Sequence, residues 1–324
     1  MSTDIEAPPT LNIWNEAPAA LVQGAAFGQV DKREKLSKKE FLHEYVLKNR
    51  PVVLKDAARD WPALSKWTPE FFRNQYGSKQ VPVFERKRTI TLKDKVLLKD
   101  YIDEICSSDF HNRAKYLFSL KIGVDFPELL RDLEPRPSYW DPNWLDSKYL
   151  LPGLPGFKLR QITGLEMNIG GTGSPFPFLH FDDLWTQTFI TQIQGRKLWM
   201  LYPPDQTPYM YPSPEADNIS RIPMDCDVDL TEFPLFANAK PTKVIVEPGE
   251  MLYGPPGWWH TTQALSPSIA VVLSTANGPI WSVVTKSSVA RAWHHPNWRF
   301  RPAALPIAAY MTCFRIIKSL TDPF

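Results

Sequence analysis

The stretch FLHFDDLWTQ, residues 178–187, places a histidine and two aspartates inside an apolar run that reads as a β-strand. Side chains alternate between the two faces of a strand, so His180 and Asp182 share one face and Asp183 points away. An unpaired carboxylate is strongly disfavoured in a buried strand. A divalent metal ion accounts for both residues on the shared face, because imidazole and carboxylate groups are metal ligands.

A third ligand is expected in a second apolar, β-like run. Of the six histidines, only His260 lies in such a run, YGPPGWWHTTQAL (residues 253–265). Two histidines and one carboxylate form the facial triad of non-haem iron proteins, which leaves coordination positions open. The structural alternatives are a His180–Asp182 hydrogen bond without metal and a core histidine beside Trp258 and Trp259.

Outside this motif, residues 160–276 consist of short β-rich runs separated by Gly/Pro turns. That texture predicts an all-β sandwich or barrel. The segment before it is more helical. Ser37 and Glu40 form a capping box for a helix to about Leu47, residues 51–55 (PVVLK) read as a strand, Thr68 begins a helix that Gly77 ends, and a third helix is expected over residues 96–106.

Composition narrows the class of protein. The chain has 324 residues, and 43% of them are hydrophobic, which favours a large packed core. Its net charge of +2 is too small to predict a nucleic-acid partner. The three cysteines form no CxxC pair and the N-terminus is polar, so we expect a cytoplasmic or nucleocytoplasmic protein that is not secreted. The longest apolar run, residues 303–314, is short for a bilayer, so no transmembrane segment is expected.

Several further segments, taken in order along the chain, carry a resemblance to a known family. They are RPVVLKDAARDWPALSKW (50–67), KYLFSL (115–120), QIQGRKLWMLYPPDQ (192–206), DLTEFPLFANAK (229–240) and PGEMLYGPPGWWH (248–260). Together with HxD at 180–182, they resemble the JmjC/cupin-like oxygenases that depend on Fe(II) and 2-oxoglutarate. The nearest branch is the small, hydroxylase-type one that includes the asparaginyl hydroxylase inhibiting hypoxia-inducible factor.

The resemblance implies a mainly β fold with flanking helices, built on a double-stranded β-helix (jelly-roll, cupin-like) core. The resemblance covers roughly residues 40–280. The pattern along the whole chain predicts a mobile N-terminal arm (1–36), a helix and strand flanking region (37–160), the β-helix core (161–280) and C-terminal helices (281–324). The implied cofactors are Fe(II), 2-oxoglutarate as cosubstrate, and O2.

The resemblance also assigns roles to individual residues. His180, Asp182 and His260 would ligate iron. Lys197 would pair with the distal carboxylate of 2-oxoglutarate, helped by Tyr116 and by Thr188, which has the same strand parity as His180. Lys197 is alternatively a strand-edge lysine, and Thr188 and Tyr116 are alternatively a β-former and a core aromatic.

Two positions depart from the pattern of the asparaginyl hydroxylase. Pro177 stands where that enzyme has a hydroxyl residue near the cofactor, and Ser274 or Thr275 stands near its asparagine on the last strand. These departures concern the contacts around the cosubstrate and leave the triad intact.

For function, the resemblance implies a hydroxylase that acts on a protein or peptide side chain. One alternative is a hydroxylase of a small molecule or peptide natural product. Another, of a different class, is a cupin-like binding module that holds metal without turnover. An intact triad together with Lys197 favours an enzyme over the binding module.

Two surfaces are predicted at the edges of this core. The Pro-rich loop 134–158, with Tyr139, Trp140 and Trp144, is expected to border the substrate entrance, although a packed crossover is an alternative.

The segment 303–320 is apolar around most of a helix, and residues 251–321 contain no Asp or Glu. We expect a homodimer through this C-terminal helix; alternatives are a helix packed on its own barrel and a basic surface for an acidic partner or membrane.

Overall fold

The computed structural model describes residues 9–15, 30–86, 90–150, 164–294 and 298–322. The strands in these ranges are β1 (Thr10–Leu11), β2 (Asp31–Arg33), β3 (Val52–Leu54), β4 (Gln80–Arg86), β5 (Ile90–Leu97), β6 (Leu117–Lys121), β7 (Leu165–Gly170), β8 (Gln187–Gln194), β9 (Lys197–Tyr202), β10 (Val228–Asp229), β11 (Thr242–Val246), β12 (Met251–Gly254), β13 (Trp259–Ala264) and β14 (Ser268–Thr275). The α-helices are α1 (Lys38–Phe41), α2 (Ala63–Lys66), α3 (Pro69–Tyr76), α4 (Leu98–Ser107), α5 (Ile122–Asp125), α6 (Gly278–Trp293) and α7 (Ala304–Thr321).

Two facing sheets form the core. The larger has seven strands in the order β2-β3-β12-β8-β14-β7-β6, and the smaller has three in the order β11-β9-β13. Their inner faces meet in one apolar layer that contains Ile190 and Leu252 from the large sheet and Leu201 and Val244 from the small one. Period-2 alternation explains this layer, because residues of opposite parity on the same strands face outward. The expected jelly-roll core with flanking helices is confirmed.

The outer face of each sheet is covered separately. Phe189 and Ile193 of β8 belong to the largest apolar cluster, which joins the large sheet to the N-terminal and C-terminal helices. Leu198 and Met200 of β9 face the other way, into a cluster formed with residues from the segment 210–236. The small sheet therefore has apolar contacts on both faces. One face of β9 lines the cavity described below, and the other packs in the cluster outside the sheet.

Two of the three helix starts that the sequence predicts are confirmed. The Ser37 hydroxyl accepts a hydrogen bond from the Glu40 N–H at the start of α1, and the Thr68 hydroxyl accepts one from Phe71 at the start of α3. After α1 the chain continues as one π-helical stretch, Leu42–Val46. The third helix begins two residues later than expected, because Val96 still pairs with Val81 in the β4–β5 hairpin.

The N-terminal arm, expected to be mobile, is packed in its described part. Thr10 and Leu11 pair with β10, and the Trp14 indole donates a hydrogen bond to the Met224 carbonyl. Ile13 and Trp14 are buried in the cluster outside the small sheet. An apolar pair within seven described residues is enough to dock this segment on the barrel.

The loop aromatics Tyr139, Trp140 and Trp144, predicted at the substrate entrance, do not line the cavity described below, so that prediction is wrong for residues 134–150. Trp140 and Trp144 are buried and Tyr139 is half-buried; residues 151–163 lie outside the described residues. Trp140 stacks edge-on against Trp61. Trp144 packs against Trp281 of α6 and Phe314 of α7, and neither tryptophan lines the cavity described below. The loop is a packed crossover that ties the helical layer together.

The C-terminal helix α7 packs on its own chain through one side only. Ala304, Ile307, Met311 and Phe314 are buried against the core, whereas Leu305, Ile316, Ile317 and Leu320 are 54–80% exposed. In the described part of the chain, one segment, Arg301–Thr321, is long and apolar enough to cross a membrane by length and composition. Core helices of soluble proteins have the same two properties, so this feature alone assigns no location.

Candidate metal centre and cosubstrate cavity

The segment 178–182 is extended but lies outside the regular sheets, so its expected status as a strand is wrong. His180 forms isolated bridges to Ile219 and His260, with the His180 N–H donating to the His260 carbonyl at 3.1 Å. Directly after Asp182 the chain turns through Leu184 and Trp185, both in the left-handed region with φ of 55° and 58°. The bridges hold the two histidines opposite each other without a long ladder.

His180, Asp182 and His260 come together as the sequence predicts. One ligand-type atom from each lies within 4.8 Å of the others, and His260 Nε2 is 4.0 Å from Asp182 Oδ2. His260 Nδ1 lies 2.9 Å from the Trp258 carbonyl. A carbonyl only accepts, so Nδ1 carries the proton and Nε2 keeps its lone pair for a metal ion. His180 Nδ1 lies 3.3 Å from the Phe178 carbonyl in the same way.

Burial makes this donor set costly without a cation. Burial raises the pKa of Asp182 to about 7, with smaller contributions from Glu166 and Asp183. Burial lowers the pKa of His260 to about 4, so its imidazole is neutral at physiological pH. Two imidazoles and one carboxylate are the donor set of the facial triad, and a divalent cation would compensate the largely buried carboxylate of Asp182, whose side chain is 17% exposed. The residues therefore fit Fe(II) or a similar ion.

The second aspartate of the motif has a different partner. Asp183 forms a two-point ion pair with the Arg291 guanidinium on α6, with Nη1 at 3.0 Å from Oδ2. This pair connects the turn after Asp182 to the C-terminal helices. Asp183 thus lies beside the triad but outside it, as expected.

Lys197 and Tyr116 meet inside the same cavity. The Lys197 ammonium donates a hydrogen bond to the Tyr116 hydroxyl. Lys197 is 1% exposed, and burial lowers its pKa to about 7. Among the described residues it has no carboxylate partner, so this buried cation fits an anionic ligand. The burial of Lys197 argues against the strand-edge alternative.

The remaining predicted contacts are also located. Thr188 on β8 and Ser274 on β14 both line the cavity; the Thr188 hydroxyl lies 3.5 Å from the Leu273 carbonyl. Thr275 instead accepts a hydrogen bond from Gln187. Pro177 lies between Phe176 and Phe178, which line the cavity. The roles of His180, Asp182, His260, Lys197, Thr188 and Tyr116 as ligands remain predictions.

The cavity has a volume of about 1470 Å³. Its inner wall is aromatic next to His180: the Phe176 ring stacks on the imidazole with centroids 5.0 Å apart. Its outer part lies between the segment 214–219 and one side of α6, which contributes Val283, Lys286 and Arg291. A cavity of this size extends well beyond a five-carbon acid, so it has room for part of a second molecule.

Two residues at the site, Trp199 and Arg291, were not predicted from the sequence. Trp199 lines the cavity two residues after Lys197, and strand parity was available as a signal for it. Arg291 carries no local signal, because its partner Asp183 is 108 residues away in sequence. Only the packing of α6 against the turn brings the two together.

Comparison with known proteins identifies the family. The profile of the cupin-like domain matches residues 38–273, so the chain belongs to the JmjC/cupin-like family. The resemblance inferred from the sequence motifs is confirmed.

Three relatives illustrate the range of the family. Lysine-specific demethylase JMJ21 of Arabidopsis thaliana is 30% identical over 83% of this chain and 27% of its own length. Lysine-specific demethylase JMJ30 of the same plant is 30% identical over 75% of this chain and 54% of its own. The 2-oxoglutarate and iron-dependent oxygenase JMJD4 of Gallus gallus is 25% identical over 77% of this chain and 60% of its own. The chain thus spans between about a quarter and 60% of these relatives.

Proposed function

We propose that this chain is an Fe(II)- and 2-oxoglutarate-dependent oxygenase. The observation that carries the proposal is the pairing of two features in one cavity: the His180–Asp182–His260 cluster and the buried Lys197, which has no carboxylate partner among the described residues. A cupin fold alone holds many ligands, whereas a metal-type triad facing a buried cation suits a metal-bound organic dianion. Relatives with 25–30% identity, one named as an iron and 2-oxoglutarate oxygenase, support the same class.

His180, Asp182 and His260 would hold the metal, and a donor set of three protein ligands would leave room for cosubstrate and O2 to bind it. When bound, Fe(II), 2-oxoglutarate and O2 supply the oxidation of a substrate C–H bond, with release of succinate and CO2. Lys197 would hold the distal carboxylate by a charge-assisted hydrogen bond, which is short and strong in a buried site. Tyr116 and Thr188 would complete the contacts to the same carboxylate.

The aromatic wall has its own part in this chemistry. Phe118, Phe176 and Phe178 are less than 10% exposed and contact one another edge-on or tilted. This wall excludes water on the His180 side of the cavity. Exclusion of water protects a reactive centre from side reactions and strengthens the Lys197 interaction.

For the substrate, we propose a protein or peptide side chain that is hydroxylated. The support is the size of the cavity and its charged lining, which includes Glu215, Asp217 and Lys286 of α6. A polar rim with both charges suits a peptide better than an apolar metabolite. A small molecule or a peptide natural product is the alternative substrate. Demethylation, the activity for which two relatives are named lysine-specific demethylases, is a second chemistry for the same centre.

The test loads the 324-residue chain anaerobically with Fe(II) and 2-oxoglutarate, adds air, and measures succinate with and without a library of lysate peptides. We expect substrate-dependent succinate and a peptide that gains the mass of one oxygen. Loss of a methylene unit instead would indicate demethylation. Asp182→Ala serves as the control without activity. Tight binding of metal and 2-oxoglutarate with no succinate under any condition would favour the non-catalytic binding module.

We further propose that two copies of the chain pair through the outer side of α7. The support is its exposed apolar side, formed by Leu305, Ile316, Ile317 and Leu320, which is unusual for a helix that faces water. The described residues of α6 and α7 include no Asp or Glu except in the cap after α7.

A further inference from the structure

Trp185, which closely follows the aspartate of the HxD motif, has a backbone conformation that tryptophan rarely adopts. Its φ is 58°, in the left-handed region, and Leu184 before it has a φ of 55°. In this region the Cβ atom of an L-residue crowds the following carbonyl oxygen, so glycine or asparagine adopts it at lower cost than a bulky residue. Strain of this kind is concentrated at active sites and ligand-binding segments. Because glycine could make the same turn, the strain indicates a role for the Trp185 ring.

A second residue is specialised to accommodate this ring. A Cβ atom on Gly257 would lie 2.7 Å from Cε3 of Trp185 and closer still to Cζ3, so only glycine permits the approach. The Phe181 ring packs on the indole with centroids 5.0 Å apart. Trp185 is nevertheless only half-buried, and it lines the cavity. The indole is therefore fixed in one position as part of the cavity wall.

The position of Trp185 along β13 separates it from Lys197. Lys197 pairs with Ala264, four residues after His260, which is about 13 Å further along the strand. Gly257, which the Trp185 ring contacts, comes three residues before His260. Trp185 and Lys197 thus lie on opposite sides of His260 in the direction of β13. An anion that extends from Lys197 to the triad lies on the Lys197 side, so the indole is left for another molecule.

The side of the triad on which Trp185 lies leads to the outer part of the cavity. The turn Asp183–Trp185 contacts α6. The outer lining contains α6 residues such as Arg291, together with the segment 214–219. A side chain that reaches the triad from this outer part passes the Trp185 ring.

We propose that the Trp185 indole is a specificity-determining surface for the substrate side chain that is oxidised, and that this side chain is a long aliphatic or aromatic one. This inference rests on the proposed function and deepens it. An indole offers a large, flat apolar surface, and covering it with carbon atoms contributes binding energy in proportion to the area removed from water. A short polar side chain would leave the ring uncovered.

The first experiment uses a synthetic copy of one lysate peptide that the wild-type protein oxidises. Trp185→Gly removes the ring, and glycine adopts the positive φ without strain. We expect the KM for this peptide to rise about tenfold, while the KM for 2-oxoglutarate and the affinity for Mn(II) stay within about twofold. Trp185→Phe keeps an aromatic ring and should restore most of the peptide affinity. Trp293→Gly, at an exposed tryptophan outside the cavity lining, is the matched control and should leave all three values unchanged.

A second readout requires no variant to turn over. In wild-type protein labelled with fluorinated tryptophan and loaded with Zn(II), the signal that is missing from Trp185→Phe belongs to Trp185. Addition of the peptide to the protein saturated with 2-oxoglutarate should shift this signal.

The outcomes distinguish this inference from the proposed function. An unshifted Trp185 signal, or an unchanged peptide KM in Trp185→Gly, would overturn the role of Trp185 alone. A loss of Mn(II) affinity with an unchanged peptide KM would mean that the ring only supports the turn. An added oxygen that maps to serine, asparagine or aspartate would overturn the assigned class of side chain. No peptide-dependent succinate from the wild-type protein would overturn the proposed peptide hydroxylase and this inference with it.

Discussion

At the scale of single residues, Lys197 shows a conflict between stability and ligand binding. Its pKa of about 7 in the fold, against an ordinary 10.5, means that the unfolded chain binds more protons between these values. The free energy of unfolding of the ligand-free protein should therefore rise with pH across this window. A bound carboxylate removes the conflict, because it favours the charged ammonium.

The first prediction concerns Lys197→Met. Without ligand, the variant should be more stable than wild type at pH 7, by roughly 1–4 kcal/mol, because the buried charge is gone. With the metal already present in both proteins, addition of 2-oxoglutarate should raise the Tm of wild type but leave the Tm of the variant almost unchanged. Thermal unfolding at pH 7 and pH 9 measures both effects. Lys55→Met, at an exposed position, is the control; a destabilised Lys197→Met protein would contradict the assignment.

The second prediction separates the two aspartates. Asp182→Ala should lower Zn(II) or Mn(II) affinity at least a hundredfold, because one of the three protein ligands is lost. Asp183→Ala removes only a neighbour of that ligand, and we expect a loss of tenfold or less. Calorimetry on the two variants measures the difference. The reverse order would mean that the turn at Leu184 rearranges to present Asp183.

At this scale, the residues whose roles depend on local spacing could be predicted from the sequence. The HxD spacing correctly predicted that His180 and Asp182 lie together, although the strand expected around them is absent. The reason is that extended backbone alone, bridged to His260, preserves the alternation. Trp199 was not predicted because its place in the cavity wall depends on how β9 packs against the facing sheet.

At the scale of elements, the turn Asp183–Trp185 and helix α6 act as a unit. Two successive residues with positive φ cost free energy that surrounding contacts must offset. The Asp183–Arg291 ion pair is one such contact, and the Phe181 and Trp185 rings, 5.0 Å apart, are another. The conformation of the turn sets the direction of Asp182.

The third prediction follows from this coupling. Arg291→Met should lower metal affinity about tenfold, because the released turn no longer holds Asp182 in place. Lys286→Met, the same change at another cation on the cavity side of α6, should leave metal affinity unchanged. In a double-mutant cycle, Asp183→Asn should add little in the Arg291→Met background. Full additivity of the two losses would contradict coupling through the ion pair.

The position of an element could be predicted where capping residues determine where it begins. It could not be predicted where packing against distant residues determines it. Ser37 and Thr68 began their helices as expected, because a cap acts on backbone groups three residues away. The aromatics of the loop 134–150 were assigned to the surface from their loop-like composition. Their true position depends on Trp281 and Phe314, which come from the other end of the chain.

At the scale of the whole molecule, apolar packing and ligand binding involve different parts of the two sheets. The large sheet buries its outer face against the helices in the largest apolar cluster. The space between the sheets is apolar at one part and lined with polar groups at the other. Apolar packing in these clusters offsets the cost of burying a group such as Lys197 in the cavity.

The last prediction tests the proposed pairing through α7. Leu305 and Leu320 are 76% and 80% exposed, so Leu305→Glu with Leu320→Glu should leave the monomer fold intact while placing two like charges in a symmetric interface. Light scattering should give twice 37.2 kDa for wild type and a single copy for the variant. Val124→Glu, at an equally exposed apolar residue on α5, should stay dimeric. A wild-type monomer that floats with anionic vesicles would instead assign the apolar, basic helix to a membrane surface, and a dimer that survives both charges would place the interface elsewhere.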